Sequence, residues 1–278
     1  MMTAPIAPMR NFYFLLLLLS LAILPACEEL FEYHPNQIIL NEDERNLTAR
    51  NLARLQNQQP GDTLHLLVMG DTQRFYDAAS AFVDKANTFP YIDLVIHQGD
   101  ISDFGMSQEF RWVHDIMKGL KWPYLTVVGN HDLLANGRKV YQQMYGDFNY
   151  SFDYGHTRFV FIDTNSMEYN YNGKVPDIDW MGRQLLHQQG DTWQQAIAVS
   201  HIPPYDNDFD KNLERAFHST LKDSERVQLS LHGHIHSFRA DFRYDSTLLY
   251  LATSTVKQRE FTHLRVWEGG YDYKRIAY

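Results

Sequence analysis

The sequence predicts an α/β sandwich of four layers, α-β-β-α, in which two mixed β-sheets face each other and helices cover the outside. From residue 62 onward, apolar runs of strand length alternate with segments whose apolar residues recur at helical spacing. Short polar motifs follow several of these runs, where the strands of an open α/β sheet present functional groups. The chain is 44% hydrophobic and 21% charged, which is ordinary for a globular domain.

A polar segment at residues 41–58 predicts a helix that packs on the surface of the domain. Three leucines recur there at near-helical spacing, and Asn41 or Asp43 stands where an N-cap is expected. A turn signal at residues 60–62 ends this segment.

Strands and helices then alternate along the rest of the chain. The predicted strands cover residues 64–69, 92–96, 124–128, 150–153, 158–162, 196–199 and 227–231. The predicted helices cover residues 78–86 and 211–221, and two more begin at Ser107 and Asp177. Four further strands are expected near residues 238–244, 248–252, 263–267 and 271–277, with Gly269 and Gly270 as a hairpin turn.

Five polar motifs stand at the ends of predicted strands. They are Gly70-Asp71-Thr72-Gln73, Gly99-Asp100-Ile101-Ser102-Asp103, Gly129-Asn130-His131-Asp132, Ser200-His201-Ile202-Pro203-Pro204 and His232-Gly233-His234-Ile235-His236. A single Gly-Asp pair is explained equally well by a turn, and a lone histidine by a hydrogen-bonded core residue. The ordered set is far more specific, above all the Gly-Asn-His-Asp and Gly-His-Ile-His runs.

These residue types predict a dinuclear metal centre. Hydrolysis of a phosphate ester needs a nucleophile at neutral pH and neutralisation of the phosphoryl oxygens, and two metal ions roughly 3.5–4 Å apart supply both through a bridging hydroxide. Imidazole, carboxylate and amide ligands suit Mn, Fe or Zn. We therefore expect two divalent or trivalent metal ions as cofactors.

The motifs resemble those of the calcineurin-like metallophosphoesterase superfamily over residues 62–255, and most closely its bacterial branch of cyclic-nucleotide-phosphodiesterase type. The resemblance implies a phosphoesterase that hydrolyses phosphate mono- or diesters. It also implies the metal ligands: Asp71 and His236 for the first ion, Asp100 as the bridge, and Asn130, His201 and His234 for the second ion.

Gln73 departs from the family pattern, which usually has histidine two residues after the first aspartate. Glutamine keeps an oxygen donor but is a neutral and weaker ligand. Direct ligation and ligation through a water molecule are both open, and the affinity of the first metal depends on which holds.

The resemblance places His131 above the metals, where it would contact the phosphate or protonate the leaving oxygen. Asp132 is expected to orient the His131 ring and to favour the imidazolium. Asp103 is interpreted as a carboxylate of a helix cap or loop. It also occupies the position of the tyrosine ligand of purple acid phosphatases, so a tyrosinate-iron site is not expected.

Substrate specificity is expected in loops around the metal centre. The loops at residues 133–139 and 203–210 offer Arg138 and Tyr205 as substrate contacts, and residues 165–176 are rich in tyrosine and asparagine. Each of these segments is equally well interpreted as a solvated loop.

The charge balance bears on the partner. Lys and Arg total 25 and Asp and Glu total 34, for a net charge of −9, which argues against a dedicated nucleic-acid binder. Bound metals would reverse the local field, so a phosphate substrate stays possible. The alternatives are a catalytically weak or inactive binding lipoprotein of the same fold, and a nuclease.

The N-terminus predicts a lipoprotein. Arg10 precedes an apolar stretch at residues 12–23, followed by Leu24-Pro25-Ala26-Cys27. This run resembles a bacterial lipobox and implies cleavage before Cys27 and lipidation there. The domains are then a signal peptide at 1–26, a tether and surface helix at 27–60, and the metallophosphoesterase domain at 61–278. An ordinary signal peptide or an uncleaved anchor is the alternative.

A lipid on Cys27 would anchor the protein in the bacterial cell envelope, at the outer membrane, on its periplasmic or surface face. The acidic residues that follow Cys27 resemble an export signal to the cell surface, or form an acidic tether. Cys27 is the single cysteine, so an intrachain disulfide is excluded. The sequence does not determine the oligomeric state.

Overall fold

Two β-sheets form the centre of the computed structural model, which describes residues 37–278. The strands are β1 (Thr63–Met69), β2 (Leu94–His97), β3 (Tyr124–Thr126), β4 (Tyr150–Tyr154), β5 (Thr157–Ile162), β6 (Gln195–Ser200), β7 (Val227–His232), β8 (Arg239–Asp241), β9 (Leu249–Ala252), β10 (Glu260–Trp267) and β11 (Gly270–Ala277). The helices are α1 (Leu47–Gln56), α2 (Tyr76–Ala86), α3 (Ser107–Met117), α4 (Gly137–Met144), α5 (Ile178–Leu185) and α6 (Lys211–Asp223).

Both sheets are mixed. The first has the strand order β11-β10-β1-β2-β3, in which β1, β2 and β3 are parallel and β10 is antiparallel to β1. The second has the order β4-β5-β6-β7-β9-β8, in which β5, β6, β7 and β9 are parallel and the two edge strands are antiparallel to their neighbours. The parallel strands of each sheet therefore end at one edge, where the polar motifs follow.

The core has three layers of apolar side chains, because successive residues of a strand point to opposite faces of the sheet. Along β1, Leu66 and Val68 pack between the two sheets, whereas Leu67 and Met69 pack against the helices outside the first sheet. Outside the second sheet, Val160 packs with residues of α5 and α6. The predicted four-layer sandwich is confirmed.

The helix predicted over residues 41–58 is shorter than expected. Asn41 precedes a 3-10 turn, and α1 begins only at Leu47. Helix α1 packs on the first sheet through Asn51, whose side-chain oxygen accepts from the Tyr124 backbone N–H at 3.1 Å. Leu40 is 8% exposed and belongs to the core, although residues 27–60 were predicted as a tether and surface helix.

One further difference concerns the segment after the third motif. Helix α4 begins at Gly137, within the segment 133–139 that was expected to be a loop, and its Val140 and Met144 are buried. The predicted signal peptide, lipobox and lipidation at Cys27 lie outside the described residues. Within residues 37–278, no helix combines the length and the apolar character that crossing a bilayer requires.

Candidate metal centre

The seven candidate ligands meet at one edge of the two sheets, and each sheet supplies a different chemistry. The loops after β1, β2 and β3 carry the oxygen donors Asp71, Gln73, Asp100 and Asn130. The segments after β6 and β7 carry the imidazoles of His201, His234 and His236. These segments meet because the parallel strands of both sheets end at the same edge of the sandwich, which is where functional groups of open α/β sheets are expected.

A buried group of Asp71, Asp100 and His201 lies at the centre of the site. Their ligand atoms are all within 4.8 Å of one another, and the three residues are at most 1% exposed. His201 Nε2 is 3.3 Å from Asp100 Oδ1. Burial acts to raise the pKa of Asp100, but the charge of His201 outweighs it and lowers this pKa to about 2. Burial alone would lower the pKa of His201, but Asp100 raises it to about 10.

The Asn130 side-chain oxygen faces two imidazoles. It lies 3.1 Å from His201 Nε2 and 3.2 Å from His234 Nδ1. His201 is oriented by its other nitrogen, because Nδ1 lies 2.6 Å from the backbone carbonyl of Gln98 and can donate to it. A hydrogen bond of this kind fixes which nitrogen of a histidine is presented to a metal.

The third imidazole contacts the first aspartate, since His236 Nε2 lies 3.3 Å from Asp71 Oδ1. The other oxygen, Asp71 Oδ2, is buried and has no hydrogen-bond partner among the described residues. A buried carboxylate oxygen without a partner is costly, which fits a place for a cation. The Gln73 amide nitrogen donates to Asp100 Oδ2 at 3.1 Å, so Gln73 belongs to the site.

The structure corrects the expected role of Asp132. This carboxylate accepts from the Ser102 and Gly129 backbone N–H groups at 2.8 and 2.9 Å and fixes the loops instead of the His131 ring. His131 Nδ1 lies 2.7 Å from the backbone carbonyl of Asp103. Asp103, which was interpreted as a cap or loop carboxylate, therefore orients His131 through its main chain. Its side chain is held by Arg74 at 2.7 Å.

Five of the candidate ligands have a left-handed backbone. They are Asp71 (φ 53°), Gln73 (φ 33°), Asp100 (φ 55°), His234 (φ 66°) and His236 (φ 55°). This conformation is uncommon for residues other than glycine, and such strain collects at functional sites where the surroundings enforce it. Sequence reasoning had no signal for this property.

One glycine makes the close approach of these loops possible. A Cβ atom on Gly129 would lie 2.2 Å from both the backbone nitrogen and Oδ1 of Asp100. Only a residue without a side chain fits between the second and third motifs at this point.

The two proposed substrate contacts are engaged elsewhere. Arg138 donates to the Tyr169 hydroxyl at 2.6 Å and lies over the Tyr169 ring. Tyr205 packs near the Tyr250 ring, and the Arg243 guanidinium lies 4.9 Å from its ring centroid. Neither side chain has a described contact with the candidate ligands.

Sequence reasoning did not assign a role to Asp206 and Asp208. Their carboxylates lie 3.5 and 3.4 Å from His234 Nε2, the nitrogen that faces away from Asn130. With His234 they form a second group of potential metal-ligating atoms. The only signal in the sequence was the number of aspartates in the loop after His201.

Comparison with known proteins places these residues in a family context. The profile of the calcineurin-like phosphoesterase family matches residues 64–238. A probable cyclic nucleotide phosphodiesterase of Moraxella catarrhalis is 26% identical over 52% of this chain and 58% of its own length. A glycerophosphodiester phosphodiesterase of Enterobacter lignolyticus is 30% identical over 40% of this chain and 42% of its own length. The chain thus spans less than two thirds of these curated relatives.

Solved structures share the fold at low sequence identity. A dimetal phosphatase of Danio rerio superposes with a TM-score of 0.63 and 14% identity, covering 76% of this chain and 95% of that protein. A purple acid phosphatase of yellow lupin seeds superposes with a TM-score of 0.61 and 13% identity, covering 78% of this chain and 52% of that protein. At these identities the likeness concerns the fold.

Proposed function

This chain belongs to the calcineurin-like phosphoesterase family, and we propose that it is a dinuclear metal-dependent hydrolase of phosphate esters, anchored in the bacterial envelope. The observation that carries the proposal is the meeting of oxygen donors from one sheet and imidazoles from the other. In particular, Asn130 Oδ1 lies within 3.2 Å of nitrogens from both His201 and His234.

The donor set fits two metal ions. Carboxylate, amide and imidazole groups without a thiolate suit Mn, Fe or Zn. Asp71, His236 and, directly or through water, Gln73 would hold the first ion. Asn130, His201 and His234 would hold the second, and Asp100 would serve both. Asp100 raises the pKa of His201 in the metal-free protein, and His201 would hold the second ion in its neutral form.

Two bound ions would supply neutralisation of the phosphoryl oxygens and activation of water. The protein itself positions His131 as the general acid. Its backbone N–H donates to Asp100 Oδ1 at 3.0 Å, and its Nδ1–H donates to the Asp103 carbonyl oxygen. Nε2 is therefore the nitrogen left to give a proton to the leaving oxygen, and the side chain is 35% exposed, so a substrate can reach it.

We favour a phosphodiester over a phosphomonoester as substrate. The support is the names of the relatives, which include cyclic nucleotide and glycerophosphodiester phosphodiesterases. A nuclease is less favoured, because Asp206 and Asp208 stand beside His234 and would repel a polyanion.

The membrane anchor remains part of the proposal. A lipid on Cys27, after removal of residues 1–26, would tether the domain at 61–278 through residues 27–60. Expression of the full chain and of Cys27→Ser with radiolabelled palmitate tests this point. Label in the full chain and none in the variant supports lipidation, whereas a cleaved but unlabelled chain would leave an ordinary signal peptide.

The decisive experiment is hydrolysis of bis(p-nitrophenyl) phosphate and p-nitrophenyl phosphate by the purified protein with Mn²⁺, with Asp100→Asn as the control. Metal-dependent turnover that is lost in Asp100→Asn supports the dinuclear hydrolase, and faster hydrolysis of the diester supports the substrate class. If two bound ions per chain are found by elemental analysis but neither substrate nor a panel of diesters is hydrolysed, the inactive binding protein becomes the better interpretation.

A further inference from the structure

We propose that a cavity beside His236 binds the alcohol arm of a phosphodiester substrate, and that this arm is a neutral group with neighbouring hydroxyls, such as glycerol or a sugar. The inference rests on the proposed function, because it assumes that the substrate phosphate lies at the metal centre.

The cavity adjoins the metal centre through one shared wall. It has a volume of about 320 Å³ and is lined by His236, Phe238, Ser254, Gln258, Glu260 and Arg275. His236 Nε2 contacts Asp71, while 48% of the side chain is exposed. An ester arm that leaves a phosphate at the metals on this side would therefore enter the cavity directly.

The cavity is polar but carries balanced charge. The Glu260 carboxylate accepts from the Ser254 hydroxyl through Oε1 and from Arg275 through Oε2, the latter at 2.6 Å. The Arg275 guanidinium also lies over the Phe238 ring, 4.7 Å from its centroid. Both charged groups are thus held in place and neutralise each other, so neither a cationic nor an anionic arm finds an unpaired counter-charge.

Hydroxyl groups match what remains available. A carboxylate oxygen has lone pairs beyond one hydrogen bond, a guanidinium has five N–H donors, and the Gln258 amide both donates and accepts. A hydroxyl can serve as donor to Glu260 and as acceptor from Arg275 or Gln258 at the same time. The volume lies at the lower end of ligand sites, which suits a small polar arm better than a lipid chain.

The opposite side of the centre differs in charge. There, Asp206 and Asp208 flank His234 without a cation in contact with them among the described ion pairs. The carboxylates on the His234 side would attract a cationic arm and repel an anionic one, whereas the paired charges on the His236 side favour neither and suit a neutral polar arm.

Matched substrates test the proposal. We would compare p-nitrophenyl phosphodiesters whose second arm is propyl, 2,3-dihydroxypropyl or 2-carboxyethyl, using the Mn²⁺-loaded full chain and the variants Gln258→Ala and Glu260→Gln. The first two arms differ only in two hydroxyls. Gln189→Ala, an exposed glutamine away from the centre, is the control variant.

The dihydroxypropyl ester is expected to have a kcat/KM about tenfold above that of the propyl ester, and each cavity variant should reduce this ratio by about fivefold, as expected for one lost hydrogen bond. Gln189→Ala should keep the wild-type ratio. Equal kcat/KM values for the two esters, or a preference for the carboxyethyl arm, would overturn the proposal while leaving the hydrolase intact.

Binding is measured in parallel, so that the result does not depend on turnover. Glycerol 3-phosphate is expected to bind the Mn²⁺-loaded protein about tenfold more tightly than propyl phosphate by calorimetry, and Gln258→Ala should narrow the difference. If no ester is hydrolysed but this preference is found, the proposed function fails and the cavity stands. If the two phosphates bind equally, the cavity proposal is wrong whatever the activity.

Discussion

The first sheet brings oxygen atoms to the candidate metal centre, whereas the second sheet brings imidazole nitrogens, and the two halves differ in exposure. Of the oxygen donors, Asp71, Gln73 and Asp100 are at most 4% exposed, whereas Asn130 is half-buried. The side chains of His234 and His236 are 16% and 48% exposed. Apart from Asn130, the oxygen donors lie in the core, where the backbone and the hydrogen bonds of the fold set their positions. The nitrogen half borders solvent, where it can meet a substrate.

His201 is the exception that makes the comparison testable. It comes from the second sheet, yet it is fully buried and contacts Asp100 and Asn130 of the oxygen half. His201 should therefore contribute to the stability of the fold, like the oxygen half, and to metal binding, like the other imidazoles.

The largest effect is expected for His201→Gln. Activity should fall by more than about 100-fold, the upper end for residues that merely support a ligand. The metal-free protein should lose about 3 kcal/mol or more in free energy of unfolding, because Asp100 keeps a buried charge without its partner. His236→Gln should lose activity to a similar degree with little change in stability. Diester hydrolysis and urea unfolding in EDTA measure both quantities.

The matched control is His187→Gln, a half-buried histidine that contacts Trp193 and belongs to none of the five motifs. It should keep full activity. Equal losses of stability in His201→Gln and His236→Gln would refute the division into a structural and an exposed half.

Two glycines sharpen the comparison of backbones. In Gly129→Ala the new Cβ would overlap the Asp100 backbone nitrogen at 2.2 Å, and a backbone atom cannot move aside easily. In Gly233→Ala the new Cβ would lie 2.8 Å from its nearest neighbour, the Gln98 carbonyl oxygen. We expect the free energy of unfolding to fall by about 3 kcal/mol in Gly129→Ala and by about 1 kcal/mol in Gly233→Ala, the range for overpacking. Urea unfolding of the metal-free proteins decides the order, and a larger loss in Gly233→Ala would contradict it.

A smaller effect on metal binding is expected for the two aspartates that contact His234. Asp206 and Asp208 face His234 Nε2 and can hold its proton, which leaves Nδ1 for the second metal. The double variant Asp206→Asn, Asp208→Asn should weaken binding of one Mn²⁺ by about 10-fold, the lower end for outer partners of a ligand. Calorimetric titration with Mn²⁺ measures this, and Asp179→Asn, an exposed aspartate on α5, should bind both ions normally.

The positions of the candidate ligands could be predicted from the sequence because they follow apolar strands directly. Asp71, Asp100 and Asn130 end three parallel neighbours of one sheet, so local patterns were enough to bring them together. The family match confirms the resemblance in these motifs. The two mixed sheets followed from the same alternation of strands and helices.

What could not be predicted depends on contacts between distant segments. The sequence indicated Asp132 as the partner of the His131 ring, and only the packing of the second motif loop on the third places the Asp103 carbonyl 2.7 Å from Nδ1. The cavity beside His236 needs Glu260 and Arg275 from β10 and β11, which pair after the last motif. No local signal connects these residues to the metal centre.

The smallest effect compares two histidines outside the centre, one behind each sheet. His114 on α3 lies 3.0 Å from the Tyr124 hydroxyl, and His218 on α6 lies 2.9 Å from the Tyr250 hydroxyl. Burial lowers the pKa of both, but Asp245 opposes this shift at His218 from 3.4 Å. In the unfolded chain a histidine has a pKa of about 6.5. This is above the lowered pKa of these two histidines in the folded chain, so the unfolded chain binds protons more readily.

The stability contributed by neutral His114 is therefore fully present above the pKa of the unfolded chain. It is lost as the pH falls through the lower pKa of the folded chain. We expect His114→Gln to reduce the difference between the urea midpoints at pH 8 and pH 5 more than His218→Gln does, because His114 is only 6% exposed and lacks a carboxylate in contact with its ring among the described ion pairs. If the two variants reduce the difference equally, burial behind the first sheet has no greater weight than burial behind the second, and the contrast between the halves is confined to the metal centre.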